Sequence, residues 1–118
     1  SLNGRVVNTC NMSESYVGFD TRYGDSAGDL SPLANLTKTE VIALAKELGL
    51  PDELVHKTPQ DGLTGLTDEQ SFGFSYAELD AYIRDGIEPS KEVKANIDSM
   101  HEKNLFKLQP MPSFVYQA

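Results

Sequence analysis

Three residues in the first third of the chain have types and positions suited to binding a nucleotide phosphate or its metal ion. Thr9 ends a short apolar segment, residues 5–9, that is typical of a buried strand. Ligands of open α/β sheets bind at that end of a strand, although a plain strand-end hydroxyl is the simpler interpretation. Glu14 follows in the first turn of a predicted helix, where a carboxylate can hold Mg²⁺ beside phosphate oxygens. It also fits the acid of a capping box with Asn11, which by itself explains its position.

The third residue, Lys38, occupies the first helical position after Thr37. A cation there opposes the helix dipole at a cost of roughly 0.3–1 kcal/mol. A lysine beside unpaired backbone N–H groups forms a phosphate site, and we favour this interpretation over a solvated lysine. A polar glycine-containing loop, residues 19–29, carries Arg22, Asp25 and Asp29. Such a loop can present charged groups to a ribose or phosphate, although its composition also fits a solvated acidic loop.

The elements that position these residues are predicted to be mostly helices. Capping boxes at Asn11, Thr37 and Ser75 predict helices that end near Gly18, Gly49 and Gly86. A short helix is expected to follow Pro51 to about residue 57, and a last helix runs from Pro89-Ser90 to about residue 103. The predicted apolar faces are Val41, Leu44, Ala45 and Leu48 on one helix, and Leu79, Tyr82 and Ile83 on another.

The remaining segments are predicted to be extended or irregular. Residues 5–9 and 30–33 are expected to form two short strands, with parallel neighbours outside this chain because so few strands make no stable sheet. Residues 58–74 are expected to be a long connection with three glycines, and such loops are usually functional or mobile. Pro110 and Pro112 predict an extended tail over residues 105–116.

Composition and charge exclude several classes of partner. The chain has 118 residues, enough for one domain or part of one, and a formal net charge of −8. That charge repels nucleic acid and anionic membranes. The one cysteine allows no internal disulfide, and with no apolar run long enough for a membrane span this favours a cytoplasmic setting. The first two residues resemble a cloning remnant, so a piece of a longer protein is expected.

Common catalytic motifs are absent from the sequence. It contains neither of the two usual glycine-rich phosphate loops and no G-x-S-x-G element. His56 and His101 lack zinc-ligand spacing. Motifs of this general kind therefore supply no complete catalytic set.

The order of longer motifs resembles the second half of ammonia-dependent NAD synthetases. The matching motifs are Thr9-Cys10-Asn11-Met12-Ser13-Glu14, Gly18, Thr21-Arg22-Tyr23-Gly24-Asp25-Ser26-Ala27-Gly28-Asp29, Pro32-Leu33, Leu36-Thr37-Lys38, Lys57-Thr58-Pro59, Asp61-Gly62-Leu63, Thr67-Asp68-Glu69, Gly73-Phe74-Ser75-Tyr76 and Asn104-Leu105-Phe106-Lys107-Leu108-Gln109-Pro110. They cover nearly the whole chain in order, which is far more specific than any single motif.

The resemblance implies an α/β fold: residues 1–118 would be the C-terminal portion of one Rossmann-like domain of the adenine nucleotide alpha hydrolase, or ATP pyrophosphatase, type. It implies an ATP-dependent ligase in which the carboxylate of deamido-NAD is adenylylated and ammonia then displaces AMP. ATP, Mg²⁺, deamido-NAD and ammonia are the ligands that it implies, and a homodimer is the implied assembly. The connection between Gln60 and Phe74 would close over the active site.

The resemblance also implies site residues by position. Thr9, Lys38 and Gln60 would contact ATP, Glu14 would bind Mg²⁺, and Asp25 would lie near the ammonia site. Four residues would contact deamido-NAD: Arg22, Asp29, His101 and Glu102.

This sequence departs from the family at several of these positions. Arg22 stands where the family often has Lys, and Gln60 where it usually has Ser or Thr. Glu102 replaces the Lys of a His-Lys pair, and Asn8 a frequent Gly.

The family's Ser-Gly-Gly-x-Asp-Ser pyrophosphate loop has no counterpart in this sequence. We therefore expect the chain alone to be inactive as a ligase. The alternative is a non-catalytic module for dimerisation or for complementing a separate N-terminal half. A related ligase that amidates tRNA or nucleotides is a third possibility, and the loop from Thr21 to Asp29 argues against it.

Overall fold

The computed structural model describes residues 2–60 and 62–117. Ser1, part of the expected remnant, and Asp61, part of the motif resemblance, lie outside them. The α-helices of the described part are α1 (Met12–Val17), α2 (Lys38–Glu47), α3 (Asp52–Val55), α4 (Asp68–Phe72), α5 (Tyr76–Asp85) and α6 (Lys91–Asn104). A 3₁₀ helix, Leu105–Leu108, continues directly from α6.

Reciprocal side-chain caps fix where the helices begin. At α1 the Asn11 side chain accepts from the Glu14 amide, and the Glu14 carboxylate accepts from the Asn11 amide, both at 3.0 Å. The boxes predicted at Thr37 and Ser75 are likewise formed in both directions. Gly18 ends α1 with φ of 72°, and a Cβ there would collide with the Asn104 side chain. Glycine at this position therefore allows α1 to lie close against the end of α6.

The core lies where α1, α5 and α6 meet around the aromatic residues of α4 and its following turn. Its buried members are Val17, Phe72, Phe74, Tyr76, Leu79 and Ile97. The Phe72 ring packs edge-on against Phe19 and Tyr76 and stacks on Phe74, with centroid separations of 4.8 to 5.4 Å. This aromatic cluster fixes the segment around α4 to the helices that carry the candidate site.

Two predictions about irregular segments are wrong. Residues 58–74 do not form one unstructured connection, because a capping box of Thr67 and Gln70 starts α4. The tail is not extended from residue 105, because the 3₁₀ helix comes first. The 3₁₀ helix is held in place by Lys107, whose Nζ donates to the Gly18 carbonyl at 2.9 Å. Within the tail, residues 110–117 have no regular structure.

The mostly helical character is confirmed, but the predicted strands are reduced to one contact. Val7 and Leu30 form a single parallel bridge, with Asn8 N donating to the Leu30 carbonyl at 2.8 Å. No longer strand ladder occurs in the part of the chain that the structure describes.

The predicted apolar face of α2 is largely exposed to solvent. Leu44 is 42 % exposed and Leu48 is 70 % exposed, and α2 buries no residue fully. Within residues 2–60 and 62–117, no helix has the length and apolar character needed to cross a membrane.

Truncation of the central core residue tests this packing. Leu79 is fully buried, so Leu79→Ala leaves a cavity and we expect it to lower the free energy of unfolding by about 2–5 kcal/mol. Urea unfolding of the chain measures this. The matched control is Leu48→Ala on the exposed face, with an expected change within about 0.5 kcal/mol. Equal losses at both positions would contradict the assignment of the core.

Candidate functional site

An open cleft of about 620 Å³ lies between the start of α1, the following loop and the segment that leads into α4. Four residues predicted for the site line it: Thr9, Glu14, Asp25 and Gln60. The other lining residues are Cys10, Gly18, Phe19, Asp20, Thr21, Leu63 and Asp68. Segments that are distant in sequence therefore converge on one acidic cavity.

Glu14 forms the predicted helix cap and is also placed at the cleft. Its carboxylate caps the Asn11 amide, and it also lines the cleft. Burial raises the pKa of Glu14 above its ordinary value, although the hydrogen bond from Asn11 and the charge of Lys38 act in the opposite direction. A partly desolvated carboxylate of this kind favours a nearby cation that compensates its charge.

Lys38 lies beside this wall of the cleft rather than among its lining residues. Its backbone amide donates to the Ser13 hydroxyl at 2.8 Å, next to Glu14 in α1. Its Nζ lies over the Tyr76 ring, 5.7 Å from the centroid. The helix start and the aromatic face thus place a cation close to Glu14, as a phosphate site requires.

Asp68 is a cleft residue that the sequence analysis did not assign to the site. It is 5 % exposed, and its Oδ2 accepts from the Tyr76 hydroxyl at 2.8 Å. Its buried Oδ1 has no hydrogen-bond partner among the described residues. A buried carboxylate oxygen without a donor is costly, so the cleft is suited to a cation at this point. The Thr67-x-x-Gln70 capping pattern was the available signal, since it places Asp68 at a helix start.

Glu14 and Asp68 fit a Mg²⁺ site in which the protein supplies some of the ligands and the substrate supplies others. Mg²⁺ usually takes one or two protein carboxylates and completes its shell with water and substrate phosphate oxygens. The two carboxylates line the same cleft, and the charge of Asp68 raises the pKa of Glu14. The described residues contain no group of three or more acidic, His or Cys side chains that could enclose a metal.

Asp25 is held as a charged group in the loop that lines the cleft. Its Oδ1 accepts from the Thr21 amide at 2.5 Å and from the Thr21 hydroxyl. Desolvation raises the pKa of Asp25, but these hydrogen bonds outweigh that effect and hold the pKa below its ordinary value. Asn8 fixes the backbone of this loop by donating to the Asp25 carbonyl at 2.8 Å.

A second unassigned group, Asp20 with Lys107, connects the cleft to the tail. Lys107 Nζ donates to the Asp20 carbonyl at 2.7 Å and lies 3.7 Å from its carboxylate. Asp20 also accepts from the Ser26 hydroxyl. The tail therefore neutralises one of the four acidic residues that line the cavity.

The four residues predicted to bind deamido-NAD do not line the cleft. Arg22 donates to the carbonyls of Phe106 at 2.7 Å and Gln109 at 2.9 Å. Asp29 accepts from the Val6 amide at 2.7 Å. His101 stacks on Tyr16 with centroids 4.0 Å apart, and Glu102 is exposed on the same helix.

Comparison with known proteins gives a consistent result. The family model described as NAD synthase matches residues 1–112. An NH3-dependent NAD+ synthetase from Finegoldia magna is 51 % identical over 79 residues, which cover 66 % of this chain and 33 % of that protein. One from Carboxydothermus hydrogenoformans is 42 % identical over 108 residues, which cover 91 % of this chain and 44 % of that protein. The chain spans less than half the length of these relatives.

Two solved structures are also similar. An NMN synthetase from Francisella tularensis superposes with a TM-score of 0.89 at 35 % identity, over 97 % of this chain and 48 % of that one. An NH3-dependent NAD synthetase from Campylobacter jejuni, in complex with a nitrate ion, superposes with a TM-score of 0.65 at 29 % identity. It matches 97 % of this chain and 46 % of that one.

The burial of Glu14 predicts a pH-dependent stability difference. Because its pKa is raised on folding, the folded chain keeps a proton that the unfolded chain releases. Stability therefore falls as pH rises from the unfolded pKa of about 4.3 through the folded value. Glu14→Gln removes this loss, so the Tm of the variant minus that of the unsubstituted chain should increase from about pH 4 to about pH 7.

Thermal unfolding followed by circular dichroism measures this difference. The matched control is Glu102→Gln, because Glu102 is exposed on α6. For the control we expect a Tm difference that stays constant over the same pH range. A constant difference for Glu14→Gln as well would contradict the burial of Glu14.

Proposed function

The chain belongs to the NAD synthase family, and from this we propose that it is the C-terminal half of an ammonia-dependent ligase that amidates deamido-NAD to NAD. In this reaction ATP adenylylates the substrate carboxylate with release of pyrophosphate, and ammonia then displaces AMP. The observation that carries the proposal is the convergence of Thr9, Glu14, Asp25 and Gln60 on one acidic cleft. The chain spans less than half the length of each of these relatives, so the proposal concerns the larger protein.

The nucleotide side of the cleft is the wall formed by the helix starts. Glu14 and Asp68 would hold Mg²⁺, which when bound neutralises charge on the phosphates of ATP. Lys38, at the start of α2, adds a fixed positive charge beside that wall, and Thr9 and Gln60 supply polar side chains at its rim. Together these groups bind and orient the triphosphate for attack by the substrate carboxylate.

The ammonia side of the cleft is the loop that carries Asp25. A carboxylate with a lowered pKa stays ionised at neutral pH, so it attracts an ammonium ion into the cavity. Ammonium must lose a proton before it attacks the adenylate, and solvent water in the open cleft accepts this proton and the one that the protonated amine loses afterwards. The nitrogen forms the new C–N bond while the C–O bond to AMP breaks, and AMP leaves with that electron pair. We propose that Asp25 positions the ammonium ion and that its charge stabilises the protonated amine that attack produces.

The proposed deamido-NAD contacts differ in their support. Arg22 and Asp29 lie in the loop of residues 19–29, where Arg22 donates hydrogen bonds to two carbonyls of the tail. His101 and Glu102 lie on α6, away from the cleft lining, so a role for them requires the substrate to extend along that helix. These four assignments, the homodimer and the inactivity of the chain alone stay predictions.

A second candidate function is the formation of NMN. The observation that favours it is the superposition on the Francisella tularensis NMN synthetase, which has a higher TM-score and a higher identity than that on the Campylobacter jejuni NAD synthetase. Both products carry the same new amide, so the cleft chemistry is shared. The two functions differ in the part of the substrate that lies beyond the nicotinate ring.

The role of Lys38 is tested in the complete enzyme that contains this chain. We expect Lys38→Ala to lower kcat/KM for ATP by on the order of 10²–10³-fold, because a charge directed at the phosphates is lost. Its Tm should change little, because the loss of about 0.5–1 kcal/mol from the contact with Tyr76 offsets the relief of a similar helix-dipole cost. The assay is pyrophosphate release.

The matched control for Lys38→Ala is Lys46→Ala in the last turn of the same helix. We expect this variant to keep its kcat/KM within about twofold, because the last turn lies far from the phosphate wall. An equal loss in both variants, or no loss in Lys38→Ala, would contradict the ATP role of Lys38.

Substrate competition separates the two candidate functions. The complete enzyme is given equal concentrations of deamido-NAD and nicotinate mononucleotide with ATP and ammonium, and both amides are quantified by chromatography. We expect NAD to form faster by at least about tenfold, because a site that binds the second nucleotide discriminates against a substrate that lacks it. Preferential formation of NMN would support the second candidate instead.

A further inference from the structure

We propose that Asp80 is a positioning residue that sets the distance between Glu14 and Lys38, an inference that rests on the proposed ATP site. Asp80 lies in α5, is 5 % exposed and does not line the cleft. Its carboxylate nevertheless contacts both helices that carry the two nucleotide-side residues. None of its partners is itself assigned to a ligand.

One oxygen of Asp80 fixes the start of α1. Oδ1 accepts from the Ser13 hydroxyl, and Ser13 is fully buried directly before Glu14. The same hydroxyl oxygen accepts from the Lys38 amide at 2.8 Å. Asp80, Ser13 and the first residue of α2 therefore form one continuous chain of hydrogen bonds.

The other oxygen of Asp80 fixes the start of α2. Oδ2 accepts from the Thr39 amide at 2.7 Å and from the Thr39 hydroxyl at 2.5 Å. The first amides of a helix have no partner within the helix, so this buried carboxylate satisfies one of them and also favours the helix dipole. Helix α5 adds a further constraint through Tyr76, whose ring lies under Lys38 Nζ.

These contacts are directional, charge-assisted and shielded from water, so they fix the two helix starts more firmly than exposed caps can. Small displacements of groups that orient a substrate reduce turnover strongly. Removing one acceptor oxygen of Asp80 should therefore alter how ATP binds even when the chain remains folded.

The test uses Asp80→Asn in the complete enzyme, since the amide keeps the size of the side chain but loses one acceptor. At a temperature well below the Tm of the variant, we expect the KM for ATP to rise on the order of tenfold. The KM for ammonium should stay within about twofold, because within the described part of the chain the hydrogen bonds of Asp25 go to Thr21, Asn8 and Cys10 and not to Asp80, Ser13 or Thr39. A purely structural role would instead lower the Tm and the active fraction, leaving both KM values unchanged.

The matched control is Asp98→Asn. Asp98 accepts from the Tyr82 hydroxyl at 2.8 Å and from Lys94 Nζ at 3.2 Å, and so joins α5 to α6 instead of to the ATP wall. We expect its KM for ATP to match that of the unsubstituted enzyme. An ATP KM that is equally raised in both variants, or unchanged in Asp80→Asn, overturns the inference.

A second variant decides the question if Asp80→Asn does not fold. Ser13→Ala removes the hydroxyl that joins Asp80 to the Lys38 amide and leaves both of the Thr39 contacts. We expect a smaller rise in the KM for ATP, of several-fold, with the KM for ammonium unchanged. An unchanged KM for ATP in a folded Ser13→Ala enzyme overturns the inference. No amidation by the unsubstituted enzyme overturns the proposed function itself, which distinguishes the two failures.

Discussion

The buried carboxylate of Asp80 is the interaction on which the arrangement of the first half of the chain depends. Burial of a carboxylate is unfavourable unless its oxygens accept enough hydrogen bonds. Ser13 and Thr39 provide these donors from two other helices, so α1 and α2 are placed relative to α5 before any ligand is considered. The aromatic cluster around Phe72 then fixes the segment leading into α4 against α1 and α5. The acidic cleft lies where these two constraints meet.

Local features of the fold were predictable from the sequence, and long-range ones were not. Capping boxes involve residues three apart, so the starts of α1, α2 and α5 follow directly from Asn11, Thr37 and Ser75. The start of α4 obeys the same rule, but the surrounding glycines outweighed the Thr67-x-x-Gln70 pattern. Asp80 and Ser13 are 67 residues apart, and no spacing rule links them. The apolar face of α2 was recognised from apolar residues that recur at helical spacing. That spacing does not show whether another element covers the face.

The residues of the candidate site were likewise predictable only in part. The order of motifs identified Thr9, Glu14, Asp25 and Gln60, which converge on the cleft. Physical reasoning on single positions favoured a simpler role for Thr9 and Asp25 and left Glu14 evenly balanced, and the structure shows that Glu14 caps a helix and lines the cavity at once. Asp68 and Asp20 were missed because their significance comes from burial and from tail contacts. Position in the chain likewise did not show that His101 stacks on Tyr16, outside the cleft lining.

The packing of α1 against α6 and the 3₁₀ helix has a consequence for how the protein matures. Contacts between α1 with its cap and this later part of the chain join residues more than eighty positions apart, such as Tyr16 with His101 and Gly18 with Lys107. Contacts of such high sequence separation form slowly and only after the distant partner has been synthesised. During translation α1 therefore leaves the ribosome long before the surface that covers it. The acidic wall of the cleft is therefore completed only after residues 101–107 have been synthesised, so assembly of the site follows synthesis of α6 and the 3₁₀ helix.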